Sequence, residues 1–320
     1  MARARIRVGI SSWTDPALIA EGSFYPRRVM SPEARLRYYA RFFDTVEVNA
    51  SFYAIPDVRT AARWVERTPA DFRFNVKAWA PMTGHHPRLE ALPAEVRALL
   101  PAALRLTPRG QVDVRQLPPA ALDAAFALFR TFLEPLVRAG KLGYVLFQFA
   151  PWVRFSPRRL DALAALPERL PGLPIAVEFR DRSWFPQHAE ETLRVLREAG
   201  LAHVVVDAPR TPNAIPRVPA VTARVAVMRL HGRHAEGWLR QLRGEAPTVQ
   251  EKYDYLYTEE ELAALLPEVA TLAGEATEVF IAFNNNNRAY PVQNALMMKR
   301  LLGQPAPAPG AEGLPFGGAG

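Results

Sequence analysis

Thr45-Val46-Glu47-Val48-Asn49 places both valines on one side of an extended chain and Glu47 and Asn49 on the other, because successive side chains of a strand alternate between faces. With the valines packed on helices, the polar pair points to the enclosed side. The same alternation sets Lys77 opposite Phe72, Phe74 and Val76, and groups Glu178 and Arg180 with the small Ala176, away from Val177 and Phe179. Short β-branched or aromatic runs of this kind recur at 6–10, 45–49, 72–77, 144–149, 175–179, 203–207, 225–230 and 279–283.

Between most of these runs the apolar spacing becomes that of a helix, over 32–43, 58–67, 120–139, 157–170, 188–199, 258–273 and 290–302. Ser31-Pro32 and Ser156-Pro157 each set a capping serine before a first-turn proline, and Thr258 with Glu261 forms a capping box. Gly140 and Gly200 stand where helices should end. Eight strands alternating with helices predict the α/β class and a (β/α)8 TIM barrel; an open doubly wound sheet has the same local grammar.

Two segments interrupt the alternation. Residues 78–119 are proline-rich, contain His85-His86-Pro87 and are too long for an ordinary strand-to-helix loop, so a lid-like insertion after the third strand is expected. Between the sixth and seventh strands four prolines (Pro209, Pro212, Pro216, Pro219) leave no helical period. The expected organisation is one barrel domain over 1–303, followed by a disordered Pro/Ala/Gly-rich tail over 304–320.

Composition narrows the function. Of 320 residues 49% are hydrophobic and 22% charged, which supports a sizeable core and excludes general disorder. Zero cysteines exclude disulfides, cysteine nucleophiles, thiolate zinc sites and iron–sulfur ligation. No apolar run reaches the roughly 18 residues of a membrane span, and the start lacks a signal-peptide core, which reads as cytoplasmic with no membrane partner. The formal charge of +8 permits polyanion binding, although the arginines are scattered rather than blocked together.

In a barrel the strand C-termini and the loops that follow build the active site. Here they carry Ser11-Ser12-Trp13, Glu47 with Asn49, Lys77, Gln148, Glu178 with Arg180, Asp207, Arg229 with His231, and Asn284 to Asn287. Glu47, Glu178 and Asp207 are candidate catalytic acids or bases, and Lys77 a candidate electrostatic partner or low-pKa nucleophile. Arg229, His231 and Arg233, beside Asn284 and Asn285, suggest an edge that holds a carboxylate or phosphate. Trp13, Asn49, His85, Gln148 and Arg180 complete the candidate substrate-binding set. An inert ion-pair network closing the barrel mouth is the competing reading.

No nucleophile elbow, phosphate-binding loop or dinucleotide fingerprint occurs, so no nucleotide cofactor is expected. Glu178, Asp207 and His231 could supply oxygen and nitrogen ligands to a divalent metal, without a compact ligand motif. Aromatic residues following strands (Trp13, Tyr25, Tyr53, Trp79, Trp152, Trp184) suit stacking on a sugar or base as well as packing. Two function classes follow. One is an enzyme, cofactor-independent or metal-assisted, acting on an anionic small molecule or sugar phosphate; the other is a nucleic-acid-binding protein, with metal-dependent nuclease or repair-like chemistry.

These motifs resemble the YecE-like family, a domain of unknown function. The resemblance rests on Val8-Gly9-Ile10-Ser11-Ser12-Trp13, Phe42-Phe43-Asp44-Thr45-Val46-Glu47-Val48-Asn49, Phe72-Arg73-Phe74-Asn75-Val76-Lys77, Val177-Glu178-Phe179-Arg180 with Ser183-Trp184, Arg229-Leu230-His231-Gly232-Arg233 and Phe283-Asn284-Asn285. It spans about 6–302 and implies a TIM barrel with no settled activity. This chain departs from the family pattern by carrying Asp181 at a histidine position and Ala208 where many relatives are acidic.

Overall fold

In the computed structural model, which describes residues 4–307 apart from 28, 103, 105, 107, 108, 213, 244, 246 and 247, all eight runs become parallel strands. They are β1 (Arg5–Ile10), β2 (Thr45–Val48), β3 (Arg73–Lys77), β4 (Leu142–Gln148), β5 (Ile175–Glu178), β6 (Ala202–Asp207), β7 (Val225–Leu230) and β8 (Glu278–Phe283). Neighbours pair in the order β1-β8-β7-β6-β5-β4-β3-β2, and the ring nearly closes where a bridge joins Ser11 to Glu47. At that seam a Cβ on Gly9 would lie 2.3 Å from the Thr45 carbonyl oxygen, so only glycine lets β1 and β2 approach. The molecule is a TIM-barrel-like fold, as the alternation predicts.

The period of two sorts the core into two clusters. Tyr144, Leu146, Ala176, Ala202, Val204, Val206, Val227 and Phe280 fill the barrel interior. Val145, Phe147, Val177, Val205, Met228 and Ile281, each one residue out of phase, join the larger shell under the helices. At the N-terminal end Arg7 is 1% exposed and plugs the barrel through ion pairs with Glu278, Asp44 (2.8 Å) and Asp71 (2.9 Å).

The helices follow the expected spans with local breaks. The expected helix over 157–170 divides into Pro157–Ala164 and Leu166–Arg169, and that over 258–273 into Glu259–Ala263 and Leu266–Glu275. In both, a proline in the first turn of the second piece (Pro167, Pro267) has no N–H to continue the first. The short helices Pro16–Glu21, Ala235–Leu242 and Val249–Tyr253 were not expected. Among the described residues of 208–224 there is no helix, which leaves a cleft of about 1000 Å³ on the barrel flank.

The described residues of 78–119 include short helical turns and bury Leu92, Val96 and Val112 in the main core, and Ala94–Arg97 packs on the long helix Pro119–Arg138. The segment is anchored on the core, and its His85 reaches Phe52 and Trp152. Gln304 ties the described end of the chain to the Ile6 carbonyl (2.8 Å); the rest of the expected tail, 308–320, lies outside the described residues. No helix among the described residues is long and apolar enough to cross a membrane.

Candidate functional site

Four strands, β2, β3, β5 and β7, send charged side chains toward the C-terminal mouth of the barrel. Glu47 shares the inner face of β2 with Thr45, Glu178 that of β5 with Ala176, and Arg229 that of β7 with Val227. Arg229 is fully buried and central: its Nε and Nη2 donate to Glu47 (2.9 and 2.5 Å), and its Nη1 donates to Gln148 Oε1 (3.2 Å) and to Glu178. Ser11 Oγ donates to Glu47 Oε1 at 3.0 Å. Burial alone would weaken the Arg229 charge, but Glu178 and Glu47 outweigh it and raise the guanidinium's pKa.

Around this buried tier sits a second, more open one. Arg180 Nε lies 2.5 Å from Glu178 Oε1, its Nη2 lies 3.2 Å from His231 Nε2, and its guanidinium covers the Trp238 ring at 5.5 Å. His231 is held between Glu178 (3.3 Å) and Asn284 (2.9 Å). Burial, then Arg180, lower the His231 pKa to about 3, so it is a neutral imidazole at neutral pH. Burial would raise the Glu178 pKa, yet Arg180, Arg229 and His231 hold it well below the usual carboxylate range. Glu178 is therefore a fixed anion at neutral pH, which does not suit it to the role of general acid.

Lys77 lies at the end of β3, partly exposed, with its ammonium 4.1 Å from the Phe52 ring centroid. Among the described residues its Nζ has no salt-bridge or hydrogen-bond partner. Burial first, and then Arg229, lower its pKa to about 7. Phe52 in turn meets His85 edge-on (4.9 Å), and His85 meets Trp152 at 5.7 Å while its Nδ1 shares a hydrogen bond with Thr83 Oγ1 (2.9 Å). Elsewhere on the rim Tyr253 packs on Trp238 (5.7 Å), with Lys252 over both rings.

The structure thus brings together Glu47, Lys77, Gln148, Glu178, Arg180, Arg229, His231 and Asn284, with His85 on the rim. It does not bring in Asp207. Asp207 shares the outer face of β6 with Val205 and is bonded there by Arg217 (2.5 Å), Arg233 (2.9 Å) and the Tyr257 hydroxyl (2.8 Å). Burial opposes its charge, but Arg233 and Tyr257 lower its pKa. The expectation that Asp207 and Arg233 join the mouth is corrected on this ground: Arg233 is spent on Asp207 and on Glu261 (3.1 Å). Arg229, enclosed by two carboxylates, is likewise not a free anion holder.

Two more expected ligand contacts, Trp13 and Asn285, are structural here. Trp13 is 6% exposed and packs edge-on against Trp64 (5.5 Å) and Phe74 (6.4 Å). Asn285 donates to the Tyr255 carbonyl (2.8 Å) and to Asn294 (2.9 Å). Asn49 precedes the short helix Ala50–Tyr53 without capping it, and its buried Oδ1 has no protein partner among the described residues. With Asp207 turned outward the proposed metal trio Glu178, Asp207 and His231 is separated, and among the described residues no group of three such side chains could hold a metal ion. Of the aromatics expected after strands, Tyr25, Trp79 and Trp184 are core residues, while Tyr53 (70% exposed) and Trp152 (53%) are rim residues. Phe52, Trp238, Lys252 and Tyr253 escaped sequence reasoning; the Trp238/Lys252/Tyr253 group lies in the seventh connection, on helices too short to show a period.

The family model described as "Protein of unknown function DUF72" matches residues 7–315. UPF0759 protein YunF of Bacillus subtilis (strain 168) is 31% identical over 300 residues, covering 93% of this chain and 94% of its own. UPF0759 protein YecE of Escherichia coli (strain K12) is 30% identical over 219 residues, 68% of this chain and 64% of its own. Among solved structures, a DUF72 family protein of Thermotoga maritima MSB8 superposes with a TM-score of 0.71 at 30% identity, covering 94% of this chain and 100% of that one. One of Enterococcus faecalis V583 gives a TM-score of 0.74 at 25% identity, over 97% of this chain and 100% of that one.

Proposed function

This chain belongs to the DUF72 family, the YecE-like proteins, and within it we propose that the barrel mouth is the active site of an enzyme acting on a small organic anion, a carboxylate or a phosphate ester. The observation that carries this reading is the charge balance of the mouth. Glu47 and Glu178 are offset by Arg229 and Arg180, His231 is neutral, and Lys77 has no counter-ion among the described residues. A partly desolvated mouth holding an uncompensated lysine favours a ligand that brings the missing negative charge. Arg180, partly exposed and already aligned between Glu178 and Trp238, supplies the fork that a carboxylate or phosphate needs. The rim of Phe52, His85, Trp152, Trp238 and Tyr253 gives an apolar wall that excludes water from the reacting end.

A thermal-shift panel of phosphate, malonate, lactate and glycerol 3-phosphate tests this. A ligand that binds only the folded state contributes about 2.7 kcal/mol at a hundredfold excess over Kd, so at least one anion should raise Tm by a few degrees. The shift should disappear in Arg180→Gln and weaken only modestly with added salt. A shift retained in full by Arg180→Gln, or none with any anion, overturns the reading. The +8 charge supports a nucleic-acid ligand as the second reading, and a short DNA or RNA duplex in the same assay would then show a steep loss of binding with salt.

A further inference from the structure

We propose that the Lys77 amine is a covalent centre in this mouth, condensing with the carbonyl carbon of a small anionic aldehyde or ketone, of the 2-oxo acid or keto-phosphate class, to form an imine. The inference rests on the anion-site reading and adds the reacting group and the substrate class.

The four lysines of the chain are in different situations. Lys141 donates to the Val65 and Thr68 carbonyls (2.7 Å each) and to Thr68 Oγ1 (3.0 Å), which occupies all three ammonium protons. Lys299 donates to the Phe42 carbonyl at 2.6 Å. Lys252 lies over the Trp238 and Tyr253 rings. Lys77 has only the Phe52 ring against its Nζ, so its lone pair is not committed to a hydrogen bond among the described residues. Its backbone is fixed: Ser51 Oγ donates to the Lys77 carbonyl (2.6 Å) as well as to Val48 (3.2 Å). The amine therefore projects from a rigid strand end into the mouth.

The surroundings suit each stage. Attack requires the neutral amine, and burial together with the Arg229 and Arg180 guanidinium groups disfavours the ammonium form, leaving a large neutral fraction near pH 7. The nitrogen lone pair adds to the carbonyl carbon, the nitrogen gives up two protons, and the carbonyl oxygen leaves as water, with no net oxidation. When the imine takes up a proton, the iminium charge faces Glu47 and Glu178, the two carboxylates whose field already reaches Lys77. The acid group of the substrate is then within the domain of Arg180, which explains why an anionic carbonyl compound is preferred to a neutral one.

Reductive trapping tests this on the full-length protein. Pyruvate, glyoxylate and dihydroxyacetone phosphate are incubated separately at pH 7.5, sodium borohydride is added, and intact mass and peptide maps are recorded. Borohydride delivers hydride to the imine carbon and fixes a secondary amine. The expected result with at least one probe is a single adduct per chain at Lys77. It should be absent from Lys77→Met and Lys77→Arg variants that keep the wild-type Tm, and at least tenfold weaker with acetone, which lacks the anion. No adduct with any probe, or labelling spread evenly over Lys77, Lys141, Lys252 and Lys299, overturns the proposal. Stabilisation by malonate or glycerol 3-phosphate without an adduct would leave the anion site standing and remove only the imine; absence of both would remove both.

Discussion

Replacing Arg229 with methionine should destabilise the protein by about 3–5 kcal/mol, as removal of one partner from a buried ionic network does. Arg229 is the only group that contacts both Glu47 and Glu178 among the described residues, and all three are buried. Without it, Glu47 loses its guanidinium and Glu178 keeps Arg180 and His231. Against a total stability of about 5–15 kcal/mol, that loss brings the variant close to unfolding at 37 °C. Urea denaturation measures it directly. Adding Glu47→Gln on the Arg229→Met background removes the stranded carboxylate while Glu178 stays paired with Arg180, and should recover at least half of the loss. A single-variant cost below about 1 kcal/mol would mean that the tier is hydrated and that Arg229 does not neutralise it.

Acid should unfold the protein in two stages, the first governed by histidine. His203 is 3% exposed and packs against Phe185 (5.3 Å) and Phe179 (6.5 Å); burial lowers its pKa from 6.5 to about 4. His231 and His85 are lowered to about 3, in each case first by burial. Above about pH 6.5 both folded and unfolded chains hold these rings neutral. Between about 6.5 and 4 the unfolded chain takes up protons that the folded chain refuses, so stability falls as pH drops; His203 alone accounts for about 3 kcal/mol across that window. The second stage lies below about pH 4.5, where Glu178 and Asp207, whose pKa values are depressed in the fold, lose their ion pairs. Melting curves at pH 7, 6, 5 and 4 should show Tm falling at every step. His203→Phe should reduce the slope between pH 6.5 and 4 by about one proton, or about 1.4 kcal/mol per pH unit. A flat Tm from pH 7 to 5 would show that these histidines are charged in the folded protein.

The barrel was legible because alternation and strand count are properties of local sequence. In Thr45–Val48 and Ile175–Glu178 one face is apolar and the other ends in a carboxylate, so both inward groups were assigned correctly. His203-Val204-Val205-Val206-Asp207 is apolar on both faces, as suits a parallel strand covered on both sides, and offers no parity; Asp207 was therefore placed in the mouth when it lies outside. Its partners Arg217, Arg233 and Tyr257 come from irregular connections whose course no periodicity reveals. Arg229 was legible as inward but not as consumed, because whether a buried cation is free depends on two carboxylates from strands 182 and 51 residues away. The division of the mouth into a closed tier around Arg229 and a more open, cationic one is a property of packing depth and has no sequence signal.

Lys77 is a half-buried amine without an ion-pair or hydrogen-bond partner among the described residues, and the proposals for the mouth turn on it. Reductive methylation with ¹³C-formaldehyde places two labelled methyl groups on each of the four lysines while preserving their basicity, and Lys77→Arg identifies the Lys77 signal. In a pH titration that signal should turn over near pH 7, and saturating malonate should shift it and move its midpoint upward, because a bound anion favours the ammonium. A midpoint above about 9, close to that of an ordinary lysine, with no response to malonate, phosphate, lactate or glycerol 3-phosphate, would rule out both a lowered Lys77 pKa and an anion site beside it.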